Sequence, residues 1–85
     1  MNDAKISELK ETFYQQVDSG ALSVVEALKL MRKIAGRSQA DYAKATKVNH
    51  KVLVDFERGV GNPTFSSLQK LLAPFNLELT VRRKK

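Results

Sequence analysis

Two short segments on either side of a tight turn constrain this chain most, because each segment carries its own start and stop signals. The sequence predicts one helix from Ser38 through Thr46 and another that begins at Asn49 and ends at Gly59. Ser38 and Asn49 suit helix starts, since their side-chain oxygens accept hydrogen bonds from unpaired backbone amides. Glycine suits a helix end, since it readily adopts the left-handed conformation. Lys47-Val48 is the expected turn.

Three further helices are predicted around this pair. Residues 3–18 place apolar side chains at steps of three and four, and Ser23 with Glu26 forms a capping box for a helix that ends at Gly36. The second of these helices is apolar on two sides, so the first should cover part of it. Thr64 caps the last helix. Its expected buried stripe consists of Phe65, Leu68, Leu71 and Leu72.

The spacing of the apolar residues changes from that of a helix to that of a strand in the C-terminal tail. Pro74 should end the fifth helix, and Asn76 is suited to the left-handed closing conformation. Leu77, Leu79 and Val81 then alternate with polar residues, which is strand spacing. No other segment is predicted to be a strand, so we expect the same strand of a second subunit to pair with it antiparallel about a two-fold axis. A frayed tail is the alternative.

The charge is distributed unevenly. Residues 1–26 carry five acidic and two basic side chains, while residues 27–85 carry thirteen basic and four acidic ones. A concentrated basic region suits a polyanion, because each neutralised phosphate releases condensed counterions. An ordinary solvated basic surface is the alternative.

Several classes of chemistry lack the residues they need. The chain has no cysteine and one histidine, so it offers no thiolate metal site and no imidazole cluster, and no cofactor is expected. Nothing in the sequence indicates a catalytic constellation, and we predict that the protein is not an enzyme. No signal peptide or membrane span is apparent, which favours the cytoplasm.

The stretch SQADYAKATKVNHKVLVDFERGVGNPT resembles the Xre, or lambda-repressor-like, helix-turn-helix family. That family's pattern runs S-Q-x-x-L-A-x-x-x-G-V-S and, after a variable stretch, I-x-x-[IW]-E-x-G-x-x-x-P-[ST]. Matching positions are Ser38, Gln39, Ala43, Val48, Leu53, Phe56, Glu57, Gly59, Pro63 and Thr64. The resemblance covers about residues 28–76 and implies an all-α, five-helix domain, to which the sequence adds the C-terminal β-strand paired across a dimer.

Three residues depart from the family pattern. Lys47 replaces the usual turn glycine and would need a positive φ, at a cost of about 1 kcal/mol. Arg37 stands where an apolar residue is common, and Asp55 stands on the recognition helix where many relatives are polar or basic.

The resemblance implies which residues meet DNA, since such domains insert the start of the recognition helix into the major groove. The expected base-reading residues are His50, Lys51, Asp55 and Val52. The expected phosphate-binding residues are Gln39, Asn49, Lys47, Arg58 and Arg37. Alternatively, His50 is only a solvated first-turn residue and Asp55 pairs with a neighbouring lysine. Glu57 is expected to be structural and to pair with a basic residue or cap backbone.

The predicted organisation has three parts: an accessory helix in residues 1–20, a helix-turn-helix domain in 21–76, and a dimerisation strand with a basic tail in 77–85. The implied function is a dimeric, sequence-specific bacterial or phage repressor that binds a palindromic operator in double-stranded DNA. The lone strand also resembles HipB-like antitoxins, which repress their own operon and bind a toxin protein. A domain of the same fold that binds a protein partner without reading DNA is the alternative.

Overall fold

The computed structural model describes residues 3–80 and consists of helices there. Five α-helices follow in order: α1 Asp3–Asp18, α2 Val24–Ala35, α3 Gln39–Thr46, α4 His50–Glu57 and α5 Phe65–Leu72, followed by a 3-10 helix at Ala73–Phe75. No β-strand occurs within residues 3–80. The all-α, five-helix prediction is therefore confirmed for this part of the chain.

The helix ends follow local capping signals. The Ser23 Oγ accepts from the Glu26 amide at 3.1 Å, and the Glu26 carboxylate accepts from the Ser23 amide at 3.0 Å, which completes the predicted capping box. Gly36 closes α2 with a φ of 66°. Asn76 follows the 3-10 helix in the left-handed conformation, with a φ of 57°. These three predicted terminal features are all confirmed.

A single apolar core joins the helices. Leu28 and Met31 of α2 are buried in one cluster with Phe13 of α1, Leu53 of α4 and Leu71 of α5. Tight packing of such side chains is the main source of stability in a domain of this size. Helix α1 thus covers one of the two apolar sides of α2, as predicted from the sequence.

One predicted core residue is exposed. Phe65, the first residue of α5, is 61% exposed, whereas Leu71 and Leu72 near the end of the same helix are buried. The periodicity places these residues on one side of the helix, but the start of α5 extends past the edge of the core. The prediction that Phe65 is buried was wrong.

The predicted tail strand is not formed within the single chain. Leu77 and Leu79 are half-buried against the core, while Glu78 and Thr80 between and after them are exposed. This is the alternation of a strand, but a strand also needs a neighbouring backbone to pair with, and residues 3–80 provide none. Val81, the third predicted dimerisation residue, lies outside the described residues.

Candidate nucleic-acid interface

The turn between α3 and α4 is tight because Lys47 takes the left-handed conformation. Its φ is 60° and its ψ is 37°, as expected for a residue in the place of a turn glycine. The Val48 amide donates to the Ala43 carbonyl at 3.0 Å across this turn. Val48 is buried, so it fixes the turn to the core while the Lys47 side chain stays exposed.

Helix α4 begins at a side-chain cap. The Asn49 Oδ1 accepts from the Lys51 amide at 2.8 Å. Asn49, His50 and Lys51 are all exposed, so the first turn of α4 presents the Asn49 amide group, an imidazole and an ammonium group to solvent. These groups can donate hydrogen bonds to base edges or phosphate oxygens.

The rest of α4 divides into an inner and an outer side. Leu53 and Glu57 are one turn apart and buried. Lys51 and Arg58 are exposed and lie about two turns apart on the opposite side, because successive residues of a helix are rotated by about 100°. The outer side therefore carries positive charge at both ends.

Asp55 and Val52 are less exposed than the other two predicted base-reading residues of α4. Both are half-buried and line a cavity of about 140 Å³ against the loop that follows α4, together with Asn62 and Thr64. The Asp55 carbonyl accepts from the Val60 amide at 2.9 Å, which holds that loop against the helix end. The structure thus distinguishes these two half-buried residues from the exposed pair His50 and Lys51.

An ion pair between a buried carboxylate and a half-buried guanidinium anchors the end of α4 to α2. Arg32 donates to Glu57 through Nε and Nη2, each at 2.9 Å, and the Glu57 side chain is 4% exposed. The hydrogen bonds to Glu57 raise the pKa of Arg32 above its ordinary value, although partial burial opposes this. Sequence reasoning predicted that Glu57 pairs with a basic residue, but Arg32 lies 25 positions away and could not be singled out.

The same carboxylate holds Gln39. The Gln39 Nε2 donates to Glu57 Oε1 at 3.3 Å, and this side chain is half-buried. An amide nitrogen has two hydrogens, so one remains available to a phosphate oxygen. Arg32 Nη1 also donates to the Arg37 carbonyl at 3.2 Å, which ties the start of the α3 region to the same network.

Three of the predicted phosphate-binding residues are basic, and they lie before α3, between α3 and α4, and after α4. Arg37, Lys47 and Arg58 are exposed, and no ion pair within residues 3–80 neutralises them. Lys44, on α3, is exposed as well. Exposed basic side chains without an ion-pair partner produce a positive potential that attracts a polyanion.

Other kinds of site are not seen in residues 3–80. No group of three or more histidine, cysteine or acidic side chains could hold a metal ion there. Among the same residues, no helix combines the length and the apolar composition that crossing a membrane requires.

Two short helices joined by a tight turn, with the second helix anchored from behind and polar at its exposed start, define a helix-turn-helix domain. The helix-turn-helix family model matches residues 28–81, more than half of the chain. The chain belongs to this family, which is of the Xre or lambda-repressor type. Membership indicates a DNA-binding regulator. The match begins inside α2, so α1 lies outside it. Searches of curated proteins and of solved structures gave no match.

Proposed function

We propose that this protein is a homodimeric, sequence-specific transcriptional repressor that binds a palindromic operator of its own operon. The observation that supports this best is the arrangement of α4, whose first turn exposes His50 and Lys51 while its buried Glu57 is held by Arg32. A helix that is fixed at its inner side and polar at its exposed start can enter a major groove in a defined orientation. The proposed location is the bacterial cytoplasm, at the nucleoid when bound to DNA.

The proposed base contacts follow from donor and acceptor chemistry. Lys51 donates to guanine O6 or N7, and His50 donates to or accepts from a neighbouring base edge. Asp55 accepts from cytosine N4 and Val52 contacts a thymine methyl group, and both line the cavity against the loop after α4. His50 and Lys51 therefore carry most of the sequence preference in this proposal.

The proposed phosphate contacts fix the position of α4. They come from the exposed charges of Arg37, Lys47 and Arg58 and from the side-chain amides of Gln39 and Asn49. Because Glu57 holds Gln39 at 3.3 Å, the ion pair that anchors α4 also orients one of these contacts. Removing such a contact lowers the affinity for all DNA sequences evenly.

Dimerisation supplies the second half of the site. One domain contacts a short stretch of DNA, whereas two domains related by a two-fold axis read half-sites roughly 34 Å apart. We assign the pairing to the tail, where Leu77 and Leu79 lie on one side of an extended segment that Val81 continues in the sequence. A narrower version of the proposal, an antitoxin that also binds a toxin protein, rests on the resemblance of this tail to HipB-like antitoxins.

Fluorescence anisotropy tests the proposal. The full chain is titrated against the duplex upstream of its own gene and against unrelated duplex, at two salt concentrations. We expect binding to the upstream duplex to persist at a salt concentration that releases the unrelated one, because only specific contacts survive screening. Lys51→Ala should reduce the difference in affinity between the two duplexes, while the matched variant Lys44→Ala on α3 should keep it. Equal, salt-sensitive binding to both duplexes and to operator candidates elsewhere in the genome would contradict the proposal.

A second candidate is a protein-binding domain of the same fold. It is favoured by the acidic excess of residues 1–26, most of which belong to a helix outside the family match. This candidate predicts that Asp55→Ala and Lys51→Ala leave partner binding unchanged and that no duplex is preferred. A change in base preference in either variant would favour the DNA-binding regulator instead.

A further inference from the structure

An apolar groove runs beside the tail on the side of the molecule formed by α1 and α2. Its volume is about 420 Å³. Its walls include Val17 of α1, Leu22 of the α1–α2 connection, Val24 and Ala27 of α2, and Leu77 and Leu79 of the tail. Val24 is 39% exposed, although it is a large apolar residue. Apolar surface of this kind, shared by four segments, is typical of a binding surface.

The first helix fixes the point where the tail leaves the core. The Tyr14 hydroxyl donates to the Phe75 carbonyl at 2.9 Å, and the Phe13 and Phe75 rings pack edge to face with centroids 5.7 Å apart. Phe75 ends the 3-10 helix directly before Asn76 and the tail. A helix outside the family match therefore sets the direction of the segment to which we assign dimerisation.

The tail backbone beside the groove has unused hydrogen-bonding groups. The Leu77 amide donates to the Leu72 carbonyl at 3.3 Å, but residues 78–80 make no backbone–backbone hydrogen bond in the described part of the chain. An extended backbone with free amides and carbonyls pairs readily with another strand. A two-stranded ribbon alone is marginally stable in water and needs a helix surface to pack on. The groove provides that surface.

We propose that the groove is occupied by the tail of a second copy, so that α1 and the start of α2 form part of the dimer interface. This inference rests on the homodimer of the proposed function and adds the surface on which the paired tails pack. A stable dimer buries roughly 800 Å² on each copy, more than a short pair of strands is expected to supply without supporting walls.

The charges of the tail and of the groove are opposite, which favours the tail of a second copy as the occupant. The tail ends in four consecutive basic residues, 82–85. Glu78 lines the groove, and the Glu26 carboxylate accepts at 3.0 Å from the amide of Ser23, another lining residue. Opposite charges at the rim of an interface favour association of the intended partner.

Sedimentation equilibrium of the full chain without DNA tests the inference. Val24→Glu places a charge in the groove, and because glutamate is favourable in the first turn of a helix, α2 should stay folded. We expect the dimer dissociation constant to rise at least about ten-fold, since the charge would be buried without a partner. Val60→Glu is the matched control, because Val60 is 49% exposed and does not line this groove. It should leave the dissociation constant within about two-fold of the wild type.

A third variant separates the inference from the proposed function. Leu79→Glu disturbs the tail itself and should weaken the dimer whichever surface the tail packs on. If Leu79→Glu weakens the dimer and Val24→Glu does not, the groove is not the seat of the second copy and the proposed dimer stands. Equal weakening by Val24→Glu and Val60→Glu would overturn the inference as a general charge effect. A wild-type chain that stays monomeric would overturn both. Circular dichroism of each variant confirms that it is folded.

Discussion

Replacing Lys47 by glycine separates the backbone role of this residue from the role of its charge. With a φ of 60° and a ψ of 37° it occupies a conformation that costs an L-residue about 1–2 kcal/mol. Its side chain is exposed, so no packing is lost on substitution. Glycine removes the strain but adds roughly 0.5–1 kcal/mol of chain entropy to the unfolded state. The expected net rise in the free energy of unfolding is about 0.5–1 kcal/mol.

Thermal and urea unfolding measure this rise. For a domain of this size the melting temperature of Lys47→Gly should increase by about 4 °C. Lys47→Ala is the control, because alanine keeps the strain and removes the charge. Both variants should bind every duplex more weakly, with a salt dependence reduced by about one phosphate contact. If Lys47→Gly is no more stable than Lys47→Ala, the left-handed conformation does not strain Lys47. If both variants bind DNA as tightly as the wild type, Lys47 is not a phosphate contact.

Three further predictions concern the ion pair, the capping box and base reading. Glu57→Ala should lower the free energy of unfolding by about 2–3 kcal/mol in urea titrations, because it leaves the Arg32 guanidinium without its buried partner. Replacing Glu57 and Arg32 both by methionine should recover at least half of that loss, and no recovery would mean that the unpaired guanidinium is not its cause. Hydrogen bonds with Ser23 lower the pKa of Glu26 below its ordinary value of 4.5, so its stabilising effect is present above that pH and is lost as the pH falls through the folded-state pKa. The difference in melting temperature between the wild type and Glu26→Gln should therefore shrink below that pH, and a constant difference would argue against the capping box as its cause. Lys51→Ala should change the order in which operator variants compete in anisotropy, whereas Gln39→Ala should weaken all of them evenly; the reverse pattern would exchange their roles.

The helix boundaries could be predicted because their signals are local. Ser23 with Glu26, Ser38 and Thr64 each cap a helix as expected, and the Asn49 cap acts within two residues of itself. A hydrogen bond between residues so close in sequence forms wherever the local conformation allows it. The positive φ of Lys47 was predicted from the family resemblance, because Lys47 stands where the family pattern has a turn glycine.

The details of the candidate site could not be predicted in the same way. Arg32 and Gln39 both bond to Glu57, at separations of 25 and 18 residues, and the sequence contains other basic residues that could have done so. Asp55 lies on the outer half of α4 by periodicity, but the following loop packs against it. Phe65 fits the apolar stripe of α5, yet the core ends before it. Each outcome depends on which distant segment lies beside the residue.

The sequence by itself determined the five helices, the tight turn, the basic character of residues 27–85 and the membership in a family of DNA-binding regulators. Periodicity and capping act over a few residues, so they can be read along the chain. Only the tertiary structure decided that α1 holds Phe75, that Arg32 anchors α4, and that an apolar groove lies beside the tail. These features arise where segments far apart in sequence pack together, because burial depends on neighbours that no local pattern specifies.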